Sequence, residues 1–375
     1  MMLIIRVKPE QDWTTAMPRP NETTHHQILP LGSDPKLRHR FMVLDEPLQG
    51  NLRFGLLLEV LDKIAEETAL AYVRRSHPEA RVVTAAINDV FVRHPADVTR
   101  DIAFRARINH VGRSSLVVGI RVEQPGDQAL HIASCHFTMV ARSGSGGEEQ
   151  SIALPPLEYL DQKEKKRAAK AEASRAEYQR QQELLSEPPS REEYEMLTAL
   201  HQAQDEQGLV GRRSQDETCF RGYKAGRLVT ESWERMYPEN ENVPLSIFGG
   251  YLIRRAFELS SICAELIAPN RPIIAAVTRI NFFQPVRIGD TLHFTSRVVY
   301  TSGSFICVEA SIERTSRDRT TKALSNSCFF TFANVDSNHR HQPVPEIYPT
   351  TYSEDARYLA AHRCLRSLVE HHSIV

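Results

Sequence analysis

Two residues in this sequence have the chemistry to move a proton and to hold developing negative charge. Asp62 is a carboxylate eight positions after Phe54, and Asn242 is a neutral amide six positions before Phe248. A partly buried carboxylate whose pKa is brought towards the working range can act as general base on an attacking water. An amide can orient that water, or bind an oxyanion, without competing for its proton. Each residue also has a plainer use. Glu59, Lys63, Glu66 and Glu67 share a helical stretch with Asp62, so a wet face of charge pairs fits the same spacing. Asn240 and Asn242 stand between Pro238 and Pro244, which fits a turn.

A repeated phrase ties these residues together. SIFGGYLIRRAFELS at Ser246 to Ser260 has a shortened copy, NLRFGLLLEVLDKIA, at Asn51 to Ala65. Phe54-Gly55 and Phe248-Gly249-Gly250 each open a long apolar run with small residues. Their bare N–H groups lie at the positive end of a helix dipole, where a polarised carbonyl oxygen can be held. Close helix-to-sheet packing is the other reason for glycine there. Glu258 and Asn51 form the reciprocal, second candidate pair, with Arg254 spaced four residues before Glu258 to pair with it. Arg113 and Ser114 in one strand turn, and Ser302 and Ser304 in another, can grip phosphate groups or simply close hairpins.

The elements that must position these groups follow a common order. From Phe54 to about Arg75, Leu57, Leu61, Ile64, Ala65, Thr68, Ala69 and Tyr72 recur at helical spacing until Ser76-His77-Pro78 ends the pattern. Strand-like runs follow: RVVTAAINDVFV, DIAFRARINHV, SSLVVGIRVEQ and LHIASCHFTMVAR. The second copy has a helix from Phe248 to about Leu266, then PIIAAVTRINFF, DTLHFTSRVVY, SFICVEASIER and ALSNSCFFTFANV. Phe104 and Phe294, like Ser114 and Ser304, are 190 residues apart (294 − 104). A period that long means two duplicated α+β domains and excludes a solenoid.

Composition excludes other classes. Across 375 residues, 46 basic and 47 acidic side chains leave no field for nucleic acid or a membrane surface. No run reaches the ~18 apolar residues of a membrane span. The six cysteines have no CxxC or zinc spacing and read as reduced core thiols. GxSxG, GxxxxGK[ST], HExxH and GxGxxG are absent, and no metal is expected. The polar, Pro-rich opening reads as a leader that packs late, and DQKEKKRAAKAEASRAEYQRQQELL as a solvated helical connector.

At these residues the chain resembles the double-hotdog acyl-CoA thioesterases, in particular their mitochondrial-type long branch. ILPLGSDPKLRHRF, GNLRFGLLLEVLD, EPPSREEYEMLTALH and NVPLSIFGGYLIRRAFELS are similar to family segments, in order, over about Ile28 to Val335. The resemblance implies two hotdog folds, each a long helix wrapped by a curved antiparallel sheet. Residues 1–39 are then a leader, 40–150 the first hotdog, 151–214 the connector, 215–338 the second hotdog and 339–375 a C-terminal extension. It further implies a homo-oligomer, an acyl-CoA substrate, no cofactor beyond the coenzyme A of the substrate, and a mitochondrial location, with the cytoplasm left open by the residues themselves. In such enzymes a helix carboxylate of one hotdog and an asparagine before the helix of the other form one site. Asp62 and Asn242 match those positions if the first copy has one residue fewer after Phe54-Gly55. Phe54, Gly55, Arg113, Ser114, Ser302 and Ser304 are the candidate coenzyme A contacts. The first copy reads FGL where the second reads FGG, and Glu258 is displaced by one from the usual aspartate, which favours Asp62 with Asn242. The alternative is a non-catalytic acyl-CoA-binding or sensing protein.

Overall fold

A computed structural model of the chain describes residues 17–45, 50–144, 150–173, 187–206, 222–243, 246–268 and 271–372. It divides into two units, Met1–Glu177 and Tyr178–Val375.

The first unit is built on helix α2. Before it come strand β1 (His25–Leu29) and the short helix α1 (Pro35–Arg40), capped by the Asp34 carboxylate. α2 (Phe54–Val73) buries Leu57, Leu58, Leu61, Ile64, Ala65, Ala69, Tyr72 and Val73. Each fully buried aliphatic side chain of this kind contributes about 1.5–3 kcal/mol. Strands β2 (Arg81–Val92), β3 (Ile102–Val111), β4 (Ser115–Gln124) and β5 (Leu130–Ser143) carry α2 on one face. They pair antiparallel in the order β1-β3-β4-β5-β2, with β6 (Gln150–Ser151) on β5. Alternation explains the two faces: Phe104, Ala106 and Ile108 of β3 are buried, while Arg105 between them is exposed.

The chain then returns across the sheet. Leu154 donates its N–H to the Arg113 carbonyl at 2.8 Å, and the Tyr72 hydroxyl donates to the Pro155 carbonyl at 2.6 Å. Helix α3 (residues 162–173) follows, with Glu164, Ala168 and Ala171 buried.

The second unit repeats this plan after helix α4 (Arg191–Glu206), β7 (Tyr223–Lys224), β8 (Val229–Arg235), and the hairpin of β9 (Glu241–Val243) and β10 (Ser246–Ile247). Helix α5 (Gly249–Glu265) lies on β8, β12 (Thr291–Ser302), β13 (Phe305–Thr315) and β14 (Lys322–Ala333), in a sheet that β11 (Ile273–Phe282) completes. These pair antiparallel as β8-β12-β13-β14-β11. Strand β15 (Ile347–Tyr348) and helix α6 (Tyr352–His372) complete the unit.

The repeat holds to the level of single hydrogen bonds. Register shifts in β2, between Thr84 and Ala86 and between Asn88 and Phe91, recur in β11 between Ile274 and Ala276 and between Thr278 and Asn281, 190 positions later. The bulge between Ile108 and His110 recurs between Val298 and Tyr300. Val344 donates to the Gly303 carbonyl at 2.9 Å, as Leu154 does to Arg113. α6 packs on its own sheet as α3 does. His110 Nδ1 lies 3.3 Å from Glu172 of α3, and His362 of α6 lies 3.1 Å from the Tyr300 hydroxyl at the same register.

Three expectations change. His25–Leu29, inside the stretch read as leader, is an edge strand on β3, just as β8 is on β12. The first part of the connector is not merely solvated, because its small Ala168 and Ala171 side chains let α3 pack. The C-terminal stretch matches it 190 positions on, where α6 buries Tyr358 and Ala361. Cys135, Cys263, Cys307 and Cys328 are buried free thiols and Cys364 is partly exposed, while Cys219 lies outside the described residues. Burial pushes the Cys135, Cys307 and Cys328 thiols up, away from the reactive thiolate.

Candidate active site

Asp62 is 0% exposed, on the face of α2 that meets the sheet. The wet, charge-paired face that its neighbours also suggest is therefore not where it lies. Lys63 carries that role, donating to Glu66 at 2.9 Å. A buried carboxylate persists where donors replace its lost water. Thr84 of β2 supplies one, its hydroxyl donating to Asp62 Oδ1 at 2.7 Å, with Met139 Sδ 3.6 Å away on the neighbouring strand. Sequence reasoning missed Thr84. Its signal is a single hydroxyl in RVVTAAI, on the helix-facing side where aliphatic residues are otherwise the rule.

Among the described residues the second unit has no such pair at the same place. Asp62 and Phe257 each stand eight residues after the first residue of their helix. The Phe257 ring lies 5.4 Å from Phe330, edge to face, and 5.7 Å from Phe332. At the register of Thr84 and its partner Met139 the second sheet carries Ile274 and Phe332. Glu258, one residue on, turns to the flank of α5. There Arg255 Nη1 donates to it at 2.9 Å, and Arg255 Nε donates to Glu234 at 2.7 Å. Glu258 is thus held by Arg255, three residues earlier, where spacing points to Arg254; the Arg254 guanidinium lies over the Tyr251 ring at 5.0 Å.

Asn51 is 1% exposed, and its amide is occupied. Its Oδ1 accepts from the Val43 and Leu44 N–H groups at 3.2 and 2.9 Å, and its Nδ2 donates to the Leu44 carbonyl at 2.7 Å. Those bonds pin the chain that enters α2. Asn242 lies in β9 of the hairpin that leads into α5, not in a plain turn, and its side chain lies outside the described residues.

Phe54 and Gly55 are buried as the first two residues of α2, while Phe248 precedes the first turn of α5 at Gly249 and Gly250. The N-cap side chains, Arg53 and Phe248, make no capping hydrogen bond. Arg113 and Ser302 are exposed and Ser114 is half-buried, which leaves them open to a phosphate. Ser304 is buried and its hydroxyl is 2.5 Å from His341 Nδ1, a partner not foreseen from the sequence. Among the described residues no group of three or more His, Cys, Asp or Glu side chains is arranged to hold a metal ion, and no helix is long and apolar enough to cross a membrane.

Two helix-on-sheet units with the same bulges define a duplicated hotdog fold, and the first of them carries a buried carboxylate. The thioesterase superfamily model matches residues 50–130 and again 246–321. Among individual relatives, the mitochondrial acyl-coenzyme A thioesterase 9 of Homo sapiens is 27% identical over 348 residues, spanning 91% of this chain and 76% of its own length. The chloroplastic acyl-coenzyme A thioesterase 2 of Humulus lupulus is 24% identical over 368 residues, spanning 94% and 82%. A solved acyl-CoA hydrolase from Bacillus cereus is 23% identical, with a TM-score of 0.38, over 40% of this chain and 90% of that one.

Proposed function

We propose that this protein hydrolyses acyl-CoA thioesters, with Asp62 as the general base. The observation that carries the assignment of the base is the fully buried Asp62 hydrogen-bonded to Thr84, where the other half of the chain has Phe257 packed against Phe330 and Phe332. The substrate class is supported by similarity to acyl-CoA thioesterases over nine-tenths of the chain. In this reading Asp62 takes a proton from water as its oxygen attacks the thioester carbon. Asn242 aligns that water or the carbonyl. Amides at Gly249 and Gly250 stabilise the oxyanion, the C–S bond breaks, and the sulfur leaves with a proton as the thiol of coenzyme A.

Arg113, Ser114 and Ser302 are the groups left to grip the phosphates of coenzyme A, and no metal or redox cofactor takes part. We further propose that Asn51 is structural and that Glu258 belongs to a flank ion pair. A homo-oligomer in mitochondria, the compartment named for the human relative, completes the reading.

The test is release of free thiol from a panel of acyl-CoAs of increasing chain length, followed with a thiol reagent. Turnover of at least one chain length is expected. A flat trace across the panel, with binding retained, would leave a sensor and end the hydrolase reading.

A further inference from the structure

The geometry points to a second ligand site, within the second unit, for a small organic phosphate. A cavity of about 660 Å³ opens where β8, β12 and the first turns of α6 meet. Ala225, Gly226, Val229 and Val299 give it an apolar wall, and Arg297 and Arg357 bring two guanidinium groups to it. Phosphate is the class that two convergent arginines suit best, because each can donate a pair of parallel N–H groups to its oxygens.

The first unit supplies the internal control. At the registers of Arg297 and Val299 it has Arg107 and Asn109. Arg107 Nε donates to Asn109 Oδ1 at 3.2 Å, and its Nη1 reaches Asn21 Oδ1 at 3.5 Å. Burial, and then the nearby Arg167, hold the Arg107 guanidinium below its ordinary value, while Glu164 and Asp161 oppose that shift. There the pair of arginines is answered by the protein's own amides and carboxylates.

In the second unit those answers are missing or engaged elsewhere. Thr351 caps α6 where Asp161 caps α3. Glu354 lines the cavity, and its carboxylate accepts from the Thr350 N–H at 2.6 Å and the Thr350 hydroxyl at 2.9 Å, as Glu164 of the first unit accepts from the Leu160 N–H at 3.2 Å. Glu231 is half-exposed and lies 3.6 Å from His293. Arg357 holds Glu309 at 2.9 Å and its own Ser353 carbonyl at 3.2 Å. Among the described residues no carboxylate lies within ion-pair distance of Arg297, whose one hydrogen bond is to Ser311 Oγ at 3.5 Å. A half-buried guanidinium so poorly matched is a cost to the fold that an anion would relieve.

Phenyl phosphate, an anion with an apolar body, is the probe. Calorimetric titration of the full chain should give one site that Arg297→Ala weakens by about tenfold or more. Thr351→Asp, which restores the first unit's carboxylate and keeps a good helix cap, should weaken it several-fold, and it carries the test if Arg297→Ala fails to fold. Arg107→Ala and Arg113→Ala should leave that site unchanged, which separates it from both the first unit and the coenzyme A turns. Absence of binding to the wild-type chain, or unchanged affinity in folded Arg297→Ala or in Thr351→Asp, would overturn the proposal, whatever the outcome of the hydrolysis assay.

Discussion

The long strands of the two halves share their bulges, and the halves differ where helix meets sheet. In the first, α2 presents Asp62 to the Thr84 hydroxyl; in the second, α5 presents Phe257 to Phe330 and Phe332, with Ile274 at the register of Thr84. Backbone hydrogen bonding preserved the scaffold in both copies, because a lost bulge would throw half of each strand to the wrong face. The side chains at the crossing point were free to diverge. The aromatic contact stabilises by packing, whereas a buried carboxylate opposes stability and is retained where chemistry needs it. In the proposed reading the duplication separates a half that supplies the base from one that supplies scaffold.

The harshest way to break this contrast is to erase it. Asp62→Phe with Thr84→Ile gives the first half the side chains of the second. Thiol release should fall by three orders of magnitude or more, roughly the combined cost of losing a base and its orienting partner, while circular dichroism stays that of a folded chain. Retained turnover would mean that the crossing point is not the site.

The outer faces of the sheets sharpen the contrast without touching catalysis. His136 of β5 stands at the register where β14 has Phe329. Burial, and then the Lys170 ammonium, push its imidazole down to about 4. A histidine buried neutral binds its proton more readily when unfolded, so its contribution is present above the unfolded value of about 6.5 and fades as pH falls towards 4. Denaturant unfolding should show a loss of about 2 kcal/mol between pH 7 and pH 5 from this group. His136→Phe, importing the second half's residue, should remove that part of the pH dependence.

A smaller effect isolates the orienting hydroxyl. Thr84→Val leaves Asp62 one donor short, and kcat should drop about tenfold, the equivalent of one hydrogen bond to a charged group. Thr84→Ser should recover most of it. Equal losses in both variants would point to packing of the methyl group.

How far these features could be read beforehand depended on the length of the pattern behind them. α2 and the eight long strands were legible because helical spacing and alternation run for ten or more residues, and RVVTAAINDVFV coincides with β2 from end to end. Asp62 and the glycine starts stood out through the repeated phrase. β1 was not legible, since His25-His26-Gln27-Ile28-Leu29 is too short and polar to read as a strand, and only pairing with β3 makes it one. α3 and α6 carried a fainter sign, the capping boxes Asp161 to Glu164 and Thr351 to Glu354, which charge-rich surroundings obscured. Thr84 could not be assigned to Asp62 from the sequence, because 22 residues separate them and only the docking of α2 on β2 brings them together.

The claim on which the rest depends is that one carboxylate does the chemistry. Steady-state hydrolysis of a single acyl-CoA by Asp62→Asn and by Glu258→Gln, in chains of equal thermal stability, tests it most directly. Asp62→Asn should lose about two to three orders of magnitude in kcat, and Glu258→Gln should stay within about twofold of wild type, the scale of a weak flank ion pair. Comparable losses in the two variants, or near-normal turnover by Asp62→Asn, would contradict it.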